Sequence, residues 1–307
     1  MKRRYLLRTS AAMTLAPLWM RSFENTNVKA EEHANDEPNI RLKLGLNAFT
    51  FNTALIDGEM TRNDVIDFCR DHQIDGVDMT GYYFQQYPEV PDDRLLFEFK
   101  RYAFENGVTV SGTGVKNNFS VADAEQFQHE VQLVKNWIPV TAKLGGDVLR
   151  IFSGRRLAKS QNRRAIFDRM VTTLQDCAKV AADHGVILGV QPHHDFLKTA
   201  EQTIELLDAV DDPWLKVVLD TGSLRDEPVY DEIEKLLPHS VTWQLKKGTW
   251  IDGNLGPVDL PRIKAIINKV GYSGFLPFEL TGSFDDLRQR RRQAADFATS
   301  IRDEVIG

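Results

Sequence analysis

The chain has 307 residues, of which 42% are hydrophobic and 27% charged, with a net charge of −6. That is enough apolar material for a sizeable core, and an acidic balance with no block of five like charges argues against a nucleic-acid surface and for a small polar ligand. The two cysteines, Cys69 and Cys177, stand far apart with no CxxC, which argues against a disulfide framework and leaves two structural thiols.

The first forty residues differ in character from the rest. MKRRYLLRTSAAMTLAPLWM is a basic start followed by an apolar run too short for a membrane span and broken by Pro17. Arg3 and Arg4 ahead of Tyr5, Leu6 and Leu7 fit a twin-arginine-type signal, and Val28-Lys29-Ala30 offers small residues for cleavage. Residues 1–30 are therefore expected to be a signal peptide, 31–40 a polar linker, and 41–307 a single catalytic domain of a protein exported to the periplasm and not anchored to the membrane.

From residue 41 short β-branched runs alternate with longer helical-period segments. Strands are expected at 41–49, 74–80, 108–114, 147–154, 186–191, 215–223, 240–247 and 274–282. The helices between and after them are expected at 61–72, 92–107, 121–146, 163–185, 199–210, 230–237, 259–271 and 285–305. Thr61 reads as an N-cap with Asp64 at the capping-box position. Glycines at 107, 145–146 and 185 read as helix stops, and Pro139 should kink or interrupt the third helix. Eight strand–helix units in about 265 residues predict an α/β fold, a (β/α)8 TIM barrel of parallel strands, typically ~250 residues long. A doubly wound sheet would show a glycine-rich phosphate turn after its first strand, and none is present.

In such a barrel the active site lies at the C-terminal ends of the strands. The strand ends carry Asn47, Asp78, Ser111, Arg150 with Ser153, then Gln191 with His193 and His194, then Asp220, then Gln244 with Lys246, and finally Glu279. Lys116 follows the third strand. Polar side chains on strands 5 to 8 point to one shared pocket. Aromatic residues at or just past strand ends (Phe49, Tyr82, Tyr83, Trp243 and Trp250) supply rings that can stack on the apolar face of a sugar.

These residues carry a resemblance. IDGVDMT, VLRIFSG, ILGVQPHHD, VVLDTGS, WQLKK, GPVDLPRI and GFLPFEL, in this order and spacing, resemble the xylose isomerase-like TIM-barrel superfamily, the sugar phosphate isomerases/epimerases. The resemblance implies one divalent metal held by Glu, Asp, His and Glu from strands 5, 6, 7 and 8. The corresponding positions here are Gln191, Asp220, Gln244 and Glu279, so two of the four depart. Two carboxylates and two amides make a weaker, oxygen-rich set suited to Mg, Mn or Ca if a metal binds at all.

The same departure removes one of the two glutamates that exchange protons in such epimerases, because an amide cannot take a proton. His193 or His194 would substitute, with Lys246 as enolate stabiliser or acid and Glu279 as a remaining base. Asn47, Asp78, Tyr82, Arg150, Trp243 and Trp250 are the expected substrate contacts. The chain resembles most the exported members that act as 3-keto-glycoside lyases or hydratases, which follow a sugar 3-oxidoreductase. That implies a small carbohydrate substrate and such an oxidoreductase as pathway partner. A metal-dependent sugar isomerase or epimerase and a non-catalytic carbohydrate-binding barrel remain open.

Overall fold

The computed structural model describes residues 39–284 and 286–307. The expected signal peptide and most of the linker lie outside the described residues. Eight strands run parallel and close on themselves in the order β1-β10-β7-β6-β5-β4-β3-β2. They are β1 (Leu42–Asn47), β2 (Gly76–Asp78), β3 (Thr109–Gly114), β4 (Val148–Phe152), β5 (Ile187–Gln191), β6 (Leu215–Asp220), β7 (Ser240–Lys246) and β10 (Gly274–Glu279). The α/β barrel expected from the alternation is therefore the observed fold.

The alternation missed one element. Between β7 and the next helix, β8 (Gly248–Ile251) and β9 (Asn254–Pro257) form an antiparallel hairpin. Its tip, Asp252-Gly253, has positive φ at both positions, the backbone that a two-residue hairpin turn demands.

The helices are α1 (Asn52–Ile56), α2 (Arg62–Asp71), α3 (Asp93–Glu105), α4 (Ala124–Leu144), α5 (Arg163–His184), α6 (Ala200–Val210), α7 (Val229–Leu236), α8 (Leu260–Val270) and α9 (Leu287–Ile301). The start of α2 is written in its sequence: Thr61 Oγ1 accepts from the Asp64 amide at 3.2 Å, and Asp64 Oδ2 accepts from the Thr61 amide at 2.7 Å. α4 and α5 end on Gly145 and Gly185, both in the left-handed region. Pro139 does not interrupt α4, which runs through it. Losing the hydrogen bond to the Lys135 carbonyl costs roughly 3 kcal/mol. The buried side chains of Trp137, Ile138 and Val140 on the same turn offset that cost. Among the described residues no helix is long and apolar enough to cross a membrane.

Along each strand, alternate residues face the barrel interior and the helix layer. The interior is filled by bulky residues set against glycines. A Cβ on Gly189 of β5 would lie 2.5 Å from Val218 Cγ2 and 3.2 Å from Val148 Cγ1, so only glycine lets β4, β5 and β6 interlock at that level. One layer above, the mouth of the barrel turns polar.

Candidate functional site

The interior-facing phase of the strands brings the polar residues together. Parallel register places Asn47 beside Asp78, Phe152 beside Gln191, Asp220 beside Gln244 and Lys246 beside Glu279. Above them opens a cavity of about 700 Å³ lined by Asn47, Tyr82, Arg150, Gln191, His193, Gln244, Lys246 and Glu279, with Phe49, Asn52, Ile56, Tyr87, Lys116, Phe152 and Thr281 completing its wall. A second hollow of about 510 Å³, on the outer surface against α3, is lined by Phe97, Lys100, Arg101 and Phe104 and has no histidine or carboxylate on its wall.

At the floor of the mouth lies a buried ionic network. The Lys246 ammonium donates to Glu279 Oε1, reaches Gln244 Oε1 at 3.5 Å and stands 3.8 Å from Asp220 Oδ2. Gln191 Nε2 donates to Asp220 Oδ2 at 2.6 Å and to Gln244 Oε1 at 2.8 Å. Asp220 is fully buried and also accepts from Ser223 Oγ at 2.8 Å and from the Gly222 amide at 2.9 Å. Because a carboxylate only accepts, Asp220 dictates which way the Gln191 amide turns. Gln191 Oε1 is left buried without a hydrogen-bond partner among the described residues.

Burial pushes the Glu279 carboxyl above the usual carboxylate range, and the Lys246 ammonium offsets only part of that push. Burial works to lower Lys246, but Asp220 and Glu279 outweigh it and hold the ammonium charged. His193 stands at the cavity with its ring 5.3 Å from that of Phe152, edge to face. The cost of charging it in partial burial lowers its pKa, with Asp220 opposing and Lys246, Arg150 and Arg225 adding to the lowering. It is therefore a neutral imidazole at neutral pH.

On the opposite wall Arg150 lies buried, donating to the Val115 carbonyl at 2.5 Å and stacked 4.2 Å above the Phe152 ring. Gly114 makes room for it: a Cβ there would lie 2.7 Å from Arg150 Nε. That nitrogen has no hydrogen-bond partner among the described residues. Asp78 accepts from Asn47 Nδ2 at 2.9 Å, and burial raises its pKa against the pull of Arg150, Asn47 and Lys246.

Four expected catalytic or substrate-binding residues lie off the cavity wall. Trp243 is fully buried and packs its ring 5.8 Å from Tyr272, behind the barrel wall. Gln244 and Lys246 face inward, so the alternation sends Trp243 outward. Trp250 sits on β8 under the Arg225 guanidinium, 4.6 Å away, and is not on the cavity wall. His194 adopts a left-handed backbone, φ 52°, which turns its ring away from the cavity to 3.7 Å from Asp226. Asp78 stands beneath Asn47 and supports the wall without lining it. Phe152 and Tyr87 are cavity residues that strand-end reasoning passes over. Phe152 is two residues past Arg150, in the same inward phase, and so was detectable. Tyr87 comes from a loop and carries no such signal; its hydroxyl accepts from the Lys116 amide at 2.8 Å.

The arrangement does not fit a divalent metal. Gln191 presents its amide hydrogens, not its oxygen, to the centre, and Gln244 Oε1 is already shared by two donors. Among the described residues no three His, Cys, Asp or Glu side chains gather as a ligand group. The expected set of Gln191, Asp220, Gln244 and Glu279 is instead tied together by hydrogen bonds to Lys246 and to one another.

The sequence matches the family model of the xylose isomerase-like TIM barrel over residues 66–301. The chain belongs to that family. No curated protein matches it. Solved structures share its fold at low identity. D-psicose 3-epimerase from Clostridium cellulolyticum H10, crystallised with D-tagatose, superposes with a TM-score of 0.70 at 17% identity, over 86% of this chain and 99% of that one. The IOLI protein, whose structure holds a zinc atom, gives 0.70 at 15%, over 85% and 99%. The 3-keto-D-glucoside 4-epimerase YcjR of E. coli gives 0.64 at 12%, again over 85% and 99%.

Proposed function

We propose that this family member is an enzyme that enolises a carbohydrate ketone, and that it acts as a lyase or hydratase on a 3-keto-sugar or 3-keto-glycoside. The observation that carries the reading is the asymmetry of the mouth. A Lys246–Glu279 pair faces a neutral His193 across the cavity, and the amide of Gln191 stands where a second carboxylate would be needed for two-faced proton exchange. A structural neighbour that acts on a 3-keto-glucoside adds support for the substrate class.

In this reading the C3 oxygen of the substrate lies against the Lys246 ammonium, which Glu279 holds in place. His193 takes the proton from C2, which is acidic because it neighbours the ketone. The C2–H electron pair moves onto the C3 oxygen as an enolate, stabilised by Lys246. It then returns to form the C1–C2 double bond as the C1–O bond breaks. The departing oxygen takes the proton from the His193 imidazolium, so the histidine ends neutral. Asn47, Tyr82 and Arg150 on the cavity wall are the partners for the remaining hydroxyls. An upstream sugar 3-oxidoreductase and export through the twin-arginine-type leader complete the proposal.

The test is a 4-nitrophenyl 3-keto-glucoside incubated in D2O. Release of nitrophenol, with a primary isotope effect for substrate deuterated at C2, is the expected result. Deuterium entering a substrate that keeps its aglycone would replace the lyase by an epimerase. Binding with neither release nor exchange would leave a binding protein.

A further inference from the structure

Lys246 stands where the ionic network needs a cation. Its ammonium donates to Glu279, reaches Gln244 Oε1 at 3.5 Å and lies 3.8 Å from Asp220 Oδ2. These oxygens come from β10, β7 and β6, so three strands converge on one nitrogen. The side chain is itself buried, 9% exposed. Its backbone amide is tied to Thr221 Oγ1 at 2.9 Å, which fixes the point from which it reaches in.

We propose that the Lys246 ammonium is the resident cation of this site and that the working protein takes up no divalent metal there. Three features support this. Asp220 Oδ2, Gln244 Oε1 and Glu279 Oε1, the oxygens nearest the centre, already accept from donors of the chain. Gln191 turns hydrogens inward, so it opposes a second cation instead of coordinating one. Arg150 and Lys246 already set two fixed positive charges against the carboxylates of Asp78, Asp220 and Glu279, and a divalent ion would have to enter against both. A protonated amine does part of what a metal does for an enolate, since it presents positive charge and hydrogen-bond donors to the developing oxyanion. It cannot chelate two substrate oxygens in the way a metal can. The inference concerns the same cavity as the proposed reaction but rests on the ion geometry alone, and its test reads binding and not turnover, so either can fail while the other stands.

The experiment is elemental analysis of the full chain purified without chelator, followed by titration with Mn2+ and Zn2+ in a calorimeter. Expected are less than ~0.1 metal ion per chain and no saturable binding at the site up to ~1 mM, the weak end of the range for oxygen-ligand sites. Lys246→Ala, checked for folding by circular dichroism, should gain Mn2+ binding by at least ~10-fold, because the carboxylates lose their internal cation. Lys246→Gln serves if the alanine variant does not fold. Stoichiometric metal in the wild type that Asp220→Ala removes would overturn the proposal. So would a folded Lys246 variant with no gain in affinity. Wild-type protein free of metal and a variant that acquires it would establish Lys246 as the metal's replacement.

Discussion

Replacing Lys246 by methionine keeps most of the side chain's volume and removes its charge. Glu279 then loses its donor, and Asp220 loses a cation 3.8 Å away. At an effective dielectric near 20, a charge pair at 3.8 Å is worth about 4 kcal/mol, and removing one partner of a buried pair costs roughly 3–5 kcal/mol. In a domain of this size each kcal/mol moves the midpoint by roughly 2–4 °C, so thermal unfolding should fall by about 10 °C at pH 8.

The deficit has a pH signature. Without the ammonium the Glu279 carboxyl, already pushed up by burial, rises further above its unfolded value. Between those two values the folded chain holds a proton that the unfolded chain has released, so the variant loses stability as pH rises. Lys246 is charged throughout this interval in the wild type, because its folded pKa is raised and its contribution is lost only in strong alkali. The gap between variant and wild type should therefore be small at pH 5 and full at pH 8, read by circular dichroism melts. A variant melting within about 1 °C of wild type at pH 8, or a gap equal at both pH values, would refute the account of the ammonium as the counter-charge.

Three further outcomes are expected. Gln191→Glu replaces two donated hydrogen bonds by a carboxylate against Asp220, so one of the two acids must hold a proton; its midpoint should fall by several degrees at pH 8 and recover toward pH 5. Trp243→Phe should cost roughly 1–3 kcal/mol in urea unfolding and leave KM unchanged, whereas Tyr82→Ala at the cavity wall should raise KM by up to roughly tenfold. Asp195 is pushed up to about 6 by burial, against the amides of Phe196 and Leu197. Its ionisation therefore costs stability as pH rises from about 4 to 6, and Asp195→Asn should flatten that part of the stability–pH curve measured by denaturant titration.

Much of the barrel was legible because each parallel strand is a short apolar run that stops at a polar residue. VILGV closing on Gln191 and VVL closing on Asp220 are both seen this way, and so is the capping box at Thr61. The phase within a strand was legible too, and it decides cases that nearness to a strand end does not. Gln244 and Lys246 in one phase put Trp243 in the other, and Arg150 carries Phe152 with it. The Asp-Gly tip of the β8–β9 hairpin is a turn signal in the sequence, yet strand–helix alternation leaves no place for an extra pair of strands. Two features could not be read from local pattern. The left-handed backbone at His194 is uncommon outside glycine and carries no sequence signal here, and it separates two adjacent histidines into different surroundings. The meeting of Lys246 with Glu279 depends on the register of β7 against β10, strands 33 residues apart in the chain at this pair.

The ends of the described barrel also meet. β1 pairs with β10 along Leu42–Leu46 and Gly274–Phe278, and Thr50 Oγ1 accepts from the Leu280 amide across 230 positions. Asn47 and Glu279, on the two sides of this seam, line one cavity. Closing a loop of that length is slow, since contacts so distant in sequence reward the chain only after nearly everything between them is ordered. The binding cavity is thus the last thing the molecule can possess. A copy in which β1 and β10 have not paired lacks the seam between Asn47 and Glu279, so substrate capture should report closure of the barrel. It also means that a ligand bridging Asn47 and Glu279 would act as a clasp on the seam, slowing the opening of the barrel at its one junction between first and last strands.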